Sequence, residues 1–320
     1  MSEKNACPAK KTSIGGQALI EGVMMRGPKK TVMAVRHTSG EIVTEEYDVD
    51  LSERPRFWKL PLVRGLYSMV DSLKFGYKCL MRSAVLAGLE EDVEEATNDK
   101  GSQKLLMSLM MVLSTVLGVA LAFGLFMFLP SFLYKLLSGA LDTAAGNTFW
   151  ADNAVLRGVF EGLLRLILFL VYLALVSLMS DIRRVFMYHG AEHKTIFCYE
   201  KGEELTVENV RRQSRFHPRC GTSFLILTLL VGIVISICIR VQTVWLRVLI
   251  KVALLPLTVG IGYELIKLAG RKDNWFTRFI SAPGLWIQRL TTKEPDDSMI
   301  ECALAAFCPV IPEDETSDQW

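Results

Sequence analysis

The sequence predicts an α-helical membrane protein: four transmembrane helices, a small N-terminal β-sheet and amphipathic interfacial helices. Three observations carry this. Hydrophobic residues make up 51% of 320 and mean hydropathy is +0.30, above the usual soluble range. The excess is gathered into blocks, of which Leu105–Leu129 runs 25 residues without a charge, against about 20 needed to cross a bilayer core. Lys and Arg are spread unevenly among the segments between the blocks, as expected when one side faces the cytosol.

In chain order, residues 1–13 are polar and basic and read as a loose tail, with no cleavable signal peptide at the start. The segment 14–61 reads as a small cytoplasmic β-rich unit. Gln17–Met25 is apolar and closed by Gly27-Pro28, Thr31–Arg36 reads as a strand, and Glu41–Tyr47 returns after the turn at Thr38–Gly40, giving a three-stranded meander. Its glycines at 15, 16, 22 and 27 match neither a dinucleotide fingerprint nor a P-loop and read as turn or bulge positions. The segment 62–104 begins with a basic amphipathic helix over 62–89 that lies on a membrane surface or packs on the bundle. An acidic linker follows over 90–104.

The membrane domain is 105–270. Its first span is ended by Pro130 and followed by a loop over 130–153. The second runs near Val159–Met179, with Glu161 and Arg165 spaced as a helical ion pair. The third is Phe224–Ile239, and the fourth about Val248–Leu268, kinked at Pro256. The segment 271–320 holds an interfacial helix broken at Pro283, a short helix around 296–308 and an acidic tail. The loop 181–223 carries eight Lys and Arg, whereas 130–153 carries only Lys135. The basic loop belongs on the cytoplasmic side, and four spans then put both termini there too.

The chemistry concentrates in that loop. Three of the four histidines lie in it, in His189-Gly190-Ala191-Glu192-His193 and His217-Pro218-Arg219-Cys220. Two imidazoles four apart on a helix face one way and can reach one ion. Glu192 is then placed to act as general base, an order that inverts HExxH and matches the inverzincin pattern. His217, Cys220 and Glu264 lie at the same depth and complete the candidate ligand set with His189 and His193. The implied cofactor is a divalent metal, zinc by donor type. Gln17, Glu21 and Arg26 of the sheet are candidates to orient the ligands. The seven cysteines form no CxxC pair and no disulfide framework is expected. A net charge of +2 gives no reason to expect nucleic acid as a partner; the lipid bilayer is the expected one.

Three stretches carry a resemblance: Gly15–Gly27, Tyr188–Lys194 (YHGAEHK) and His217–Thr222 (HPRCGT). In these the chain resembles the YqhQ-like family of bacterial membrane proteins, which carries the label of a predicted metal-dependent enzyme. The resemblance covers most of residues 13–290 and implies a bacterial inner-membrane location.

Three functions follow as expectations. The first is a metal-dependent hydrolase facing the cytosol. The second is a non-enzymatic membrane scaffold or assembly factor with a structural His/Cys site. The third is a small transporter using Glu161 and Glu264.

Overall fold

The computed structural model describes residues 11–49, 60–89, 101–271 and 274–313. Residues 1–10 of the tail expected over 1–13, residues 50–59 of the segment 14–61, residues 90–100 of the acidic linker expected over 90–104 and the acidic end beyond 313 lie outside the described residues.

The N-terminal segment is a four-stranded antiparallel sheet in the order β1 (Gly15–Leu19), β2 (Gly22–Arg26), β3 (Lys30–Arg36), β4 (Ile42–Asp48). The single strand expected over 17–25 is therefore two, folded back at Ile20-Glu21 so that Leu19 pairs with Gly22. Neither turn residue is Gly, Asn or Asp, so nothing local announces the turn. Glu21 takes a φ of +52°, unfavourable for a side chain. Its carboxylate is held from outside the sheet, by Arg184 Nε at 2.6 Å and the Tyr188 hydroxyl at 3.3 Å.

The central strands are apolar on both faces because both are covered. On one face Val23, Met25, Val32 and Ala34 join a core with Tyr188, Ala191, Met299, Ile300 and Phe307. On the other, Met24, Met33 and Val35 pack on Cys79 and Ala87. The covering elements are α6 (Ser180–Glu200) and α12 (Asp297–Phe307) on the first side and α1 (Val63–Leu86) on the second. The basic residues of α1 are partly committed: Arg82 pairs with Glu45 at 2.8 Å and Arg64 with Glu264. Its Gly65 lies against Tyr263, where an added Cβ would stand 2.6 Å from that side chain, so α1 joins the sheet to the helical bundle.

The bundle comprises α2 (Gly101–Phe123), a π-helical turn (Gly124–Phe128), α3 (Leu129–Ala145), the short α4 (Phe149–Asp152), α5 (Ala154–Val176), α8 (Gly221–Cys238), α9 (Val244–Ala253) and α10 (Leu255–Arg271). The helix α11 (Trp275–Thr291) packs on α8, and the short α7 (Val207–Arg211) on the sheet side. Among the described residues three helices are long and apolar enough to cross a membrane: Val112–Ala145, Ala154–Val176 and Gly221–Cys238. The pair α9 and α10, bent by 47° at Leu254, makes a fourth if counted as one.

Three expectations are corrected. Pro130 does not end the first helix. It sits in the first turn of α3, where its missing N–H is tolerated, directly after the π-helical turn, and the helix runs on to Ala145. Pro283 does not break α11, which is continuous across it. The intrinsic cost of about 3 kcal/mol is met by close packing on α8, where Gly284 lies so near Ser223 that a Cβ would be 2.4 Å from its hydroxyl. Glu161 does not hydrogen-bond to Arg165. It bonds one turn the other way, to Arg157 at 3.0 Å, and across the bundle to Arg247 at 2.9 Å and to Lys251. Arg165 instead donates to the Phe126 carbonyl in the π-helical turn, at 2.8 Å.

Candidate metal centre

The α6 helix runs through both histidines of the first motif, and α8 begins immediately after the second. Cys220 is the N-cap of α8, its sulfur 3.4 Å from the Thr222 N–H. This brings His189, His193 and Cys220 together, with one ligand atom from each lying within 4.8 Å of the others. Both imidazoles are oriented by backbone. His189 Nδ1 is 2.8 Å from the Thr291 carbonyl, and His193 Nδ1 is 2.6 Å from the Arg215 carbonyl. A carbonyl only accepts, so each Nδ1 carries its proton and each Nε2 is the pole left for the cluster. Metal-binding histidines are characteristically fixed in this way.

The groups of the cluster polarise one another. Burial alone lowers the His189 pKa, but the Cys220 sulfur, 3.2 Å from Nε2, raises it to about 9. Burial alone raises Cys220, but His189 and His193 hold it well below the ordinary thiol range. The two imidazoles thereby favour the thiolate, the form of the sulfur that binds metals.

Glu192 does not lie in the ligand triad. Its carboxylate accepts the Gly16 N–H at 3.1 Å and faces the same cavity, of about 600 Å³, as His189, His193 and Cys220. Burial raises its pKa, against the lowering effect of the two histidines. Gly16 belongs here for a steric reason: a Cβ would stand 2.6 Å from the Met24 carbonyl and 3.0 Å from Glu192 Cγ.

The other two expected ligands are committed elsewhere. His217 is beside the cluster, its ring 5.7 Å from that of His193, but Nε2 faces Glu200 at 3.4 Å. Its backbone is clamped by Gln288, which accepts from His217 N and donates to His217 O, both at 2.7 Å. Glu264 is bonded to Arg64 and to the Leu62 N–H and takes no part in the triad. Of the sheet residues expected to orient ligands, Glu21 is held by Arg184 and Arg26 pairs with Asp71 at 2.9 Å. Gln17 lines the cavity, though its amide donates to the Gly76 carbonyl at 3.4 Å.

Several contributors were not read from the sequence. Glu200, which binds Arg219 and accepts the Thr12 N–H at 2.8 Å, stands seven residues after His193, a same-face spacing on α6 that could have flagged it. Gln288 and the Thr291 and Arg215 carbonyls carry no such signal. Gly190 is explained only by tertiary contact: a Cβ there would lie 2.0 Å from the Lys293 carbonyl. Gly190→Ala therefore pushes α6 off the connecting segment 292–296 that follows Thr291. It is expected to lower stability by about 1–3 kcal/mol, seen as a lower thermal midpoint, and to loosen His189.

Among the described residues, the fold and site together define a mostly helical chain with three or four helices long and apolar enough to cross a membrane, a small antiparallel sheet and one buried His/Cys cluster. The chain belongs to the family described as "Protein of unknown function (DUF1385)", whose profile matches residues 60–313. It is 36% identical over 325 residues to "Uncharacterized protein YqhQ" of Bacillus subtilis (strain 168), a match covering 100% of this chain and 97% of that protein. No solved structure matches.

Proposed function

We propose that this chain is a multi-pass protein of the bacterial cytoplasmic membrane that binds a divalent metal, zinc by its donors, at His189, His193 and Cys220 on the cytoplasmic side, and that it is a metal-dependent hydrolase there. One observation carries the reading: three oriented ligands stand at the edge of a cavity of about 600 Å³ that also holds a buried carboxylate. Structural zinc sites are closed by four protein ligands, whereas catalytic ones keep a position open. A divalent ion in such a site polarises a carbonyl or phosphoryl oxygen and acidifies water. This chain's residues supply the rest. Backbone carbonyls hold the imidazoles in one tautomer, the Gly16 N–H fixes one Glu192 oxygen, and the raised Glu192 carboxyl is suited to take and return a proton.

The membrane reading is supported by the bare apolar surface of α2, where Leu109, Leu113, Leu117 and Leu121 are each more than 60% exposed. Reporter fusions at residues 145 and 205 are expected to report opposite sides; both reporting the cytosol would overturn the four-span topology, and residue 205 reporting the periplasm would remove the cytoplasmic site. The metal is tested by elemental analysis of protein purified without an affinity metal. About one zinc per chain is expected, falling below a tenth in His189→Ala and Cys220→Ala.

A specific contact favours one second reading. The Cys220 thiolate, at a helix N-terminus and 3.2 Å from His189, has the arrangement of a nucleophile with its base. Metal-free wild-type protein whose Cys220 is alkylated rapidly at neutral pH would decide for that reading.

A further inference from the structure

A second cavity, of about 680 Å³, lies between α1, α8, α10 and the π-helical turn. It meets the metal-site cavity at Gln17, Arg219, Cys220, Gly221 and Leu225, which line both. From there it runs along α8 as far as Ile235, about 21 Å at 1.5 Å per residue. Its walls are mainly apolar, formed by residues such as Met69, Phe224, Leu229, Leu255 and Val259. The far end is different: Arg165 and Lys251 line it there.

That end carries unbalanced charge. Arg157, Arg165, Arg247 and Lys251 gather around a single carboxylate, Glu161. Glu161 is fully buried and does not line the cavity; it already bonds to Arg157, Arg247 and Lys251. Arg165 donates from Nε to the Phe126 carbonyl. It is 7% exposed, and its Nη2 is buried with no hydrogen-bond partner among the described residues. A buried guanidinium with an unmet donor is costly unless an acceptor reaches it. The π-helical turn beside it is a feature often found at binding sites.

We propose that this cavity binds a single-chain acidic amphiphile, its anionic group held by Arg165 and Lys251 and its hydrocarbon chain lying along α8 towards Cys220. The charge complements the deep end, and the length and apolar walls fit a chain and not a free anion. Gly232 marks the path. An added Cβ there would make only ordinary contacts, 3.8 Å from Thr258 and 3.9 Å from Arg165, so a larger side chain would project into the space the ligand takes.

The test uses the full chain in nanodiscs of zwitterionic phosphatidylcholine, titrated with dodecanoate, dodecanol and inorganic phosphate by calorimetry. Dodecanoate should bind at about one per chain, and dodecanol at least tenfold more weakly, the loss expected for one charge-assisted hydrogen bond in an apolar site. Arg165→Gln should weaken dodecanoate at least tenfold, and Gly232→Leu should block it. His189→Ala should leave it unchanged, which separates this site from the metal reading. Equal binding of dodecanol, phosphate binding as tight as dodecanoate, or full binding by Gly232→Leu would each overturn the proposal. If Arg165→Gln fails to fold, the comparison of the two dodecyl ligands and Gly232→Leu decide.

Discussion

Glu192→Gln is expected to keep its metal and its abundance and to lose its cellular function. The variant preserves an oxygen for the Gly16 N–H and preserves size, so the contact that joins α6 to β1 survives. It removes only the ability to take a proton. General-base assistance contributes about 10²–10⁴ in rate, and a loss of that size silences most hydrolases in a complementation assay. The measurement is complementation of a strain lacking the gene, with protein level and bound zinc recorded on the same samples. Full complementation at normal abundance would leave a structural metal site and end the hydrolase reading. Loss of zinc together with Glu192 would instead mean that the carboxylate helps hold the ion.

The largest effect on stability is expected at Glu161. This carboxylate is fully buried and is the acceptor shared by Arg157, Arg247 and Lys251. Glu161→Gln leaves all three cations in place without their counter-charge, and breaking a buried ion cluster in this way costs about 3–5 kcal/mol. The folded fraction, read as monodisperse protein after detergent extraction, should fall sharply. Lys251→Met in the same chain removes one of the stranded charges and should recover part of the loss, giving a coupling that simple additivity does not. Equal yields of wild type and Glu161→Gln would show that the cluster contributes little to holding α5, α8 and α9 together.

Much of the architecture was legible because the apolar patterns are long. The uncharged run from Leu105, the periodic apolar residues of α1 and the turn at Gly40 each point to one local structure, and each element is present. What escaped was set by partners distant in sequence. The hairpin at Ile20-Glu21 depends on Arg184 and Tyr188, more than 160 residues away. The persistence of α11 through Pro283 depends on α8. At the site, the helical spacing of His189 and His193 was readable, and of the three further ligands expected with them the structure brings Cys220, at the start of α8, beside the pair. Depth along the chain could not show which nearby group Glu264 or His217 faces, and Arg64 and Glu200 take them instead.

The core of the sheet draws on both ends of the chain. Val23, Met25, Val32 and Ala34 are made long before Met299, Ile300, Ala303 and Phe307, which share their core. α6 can cover its share of that face of the sheet once residue 200 is made, but the share that belongs to α12 stays open through the synthesis of more than 250 residues. The Arg211–Asp297 ion pair and the Arg36 contacts to Ser298 and Glu301 then fasten the arriving helix. A ribosome stalled before residue 297 would thus display a sticky nascent sheet, a substrate for chaperones. The eleven-residue α12 acts as the latch that ends that exposure.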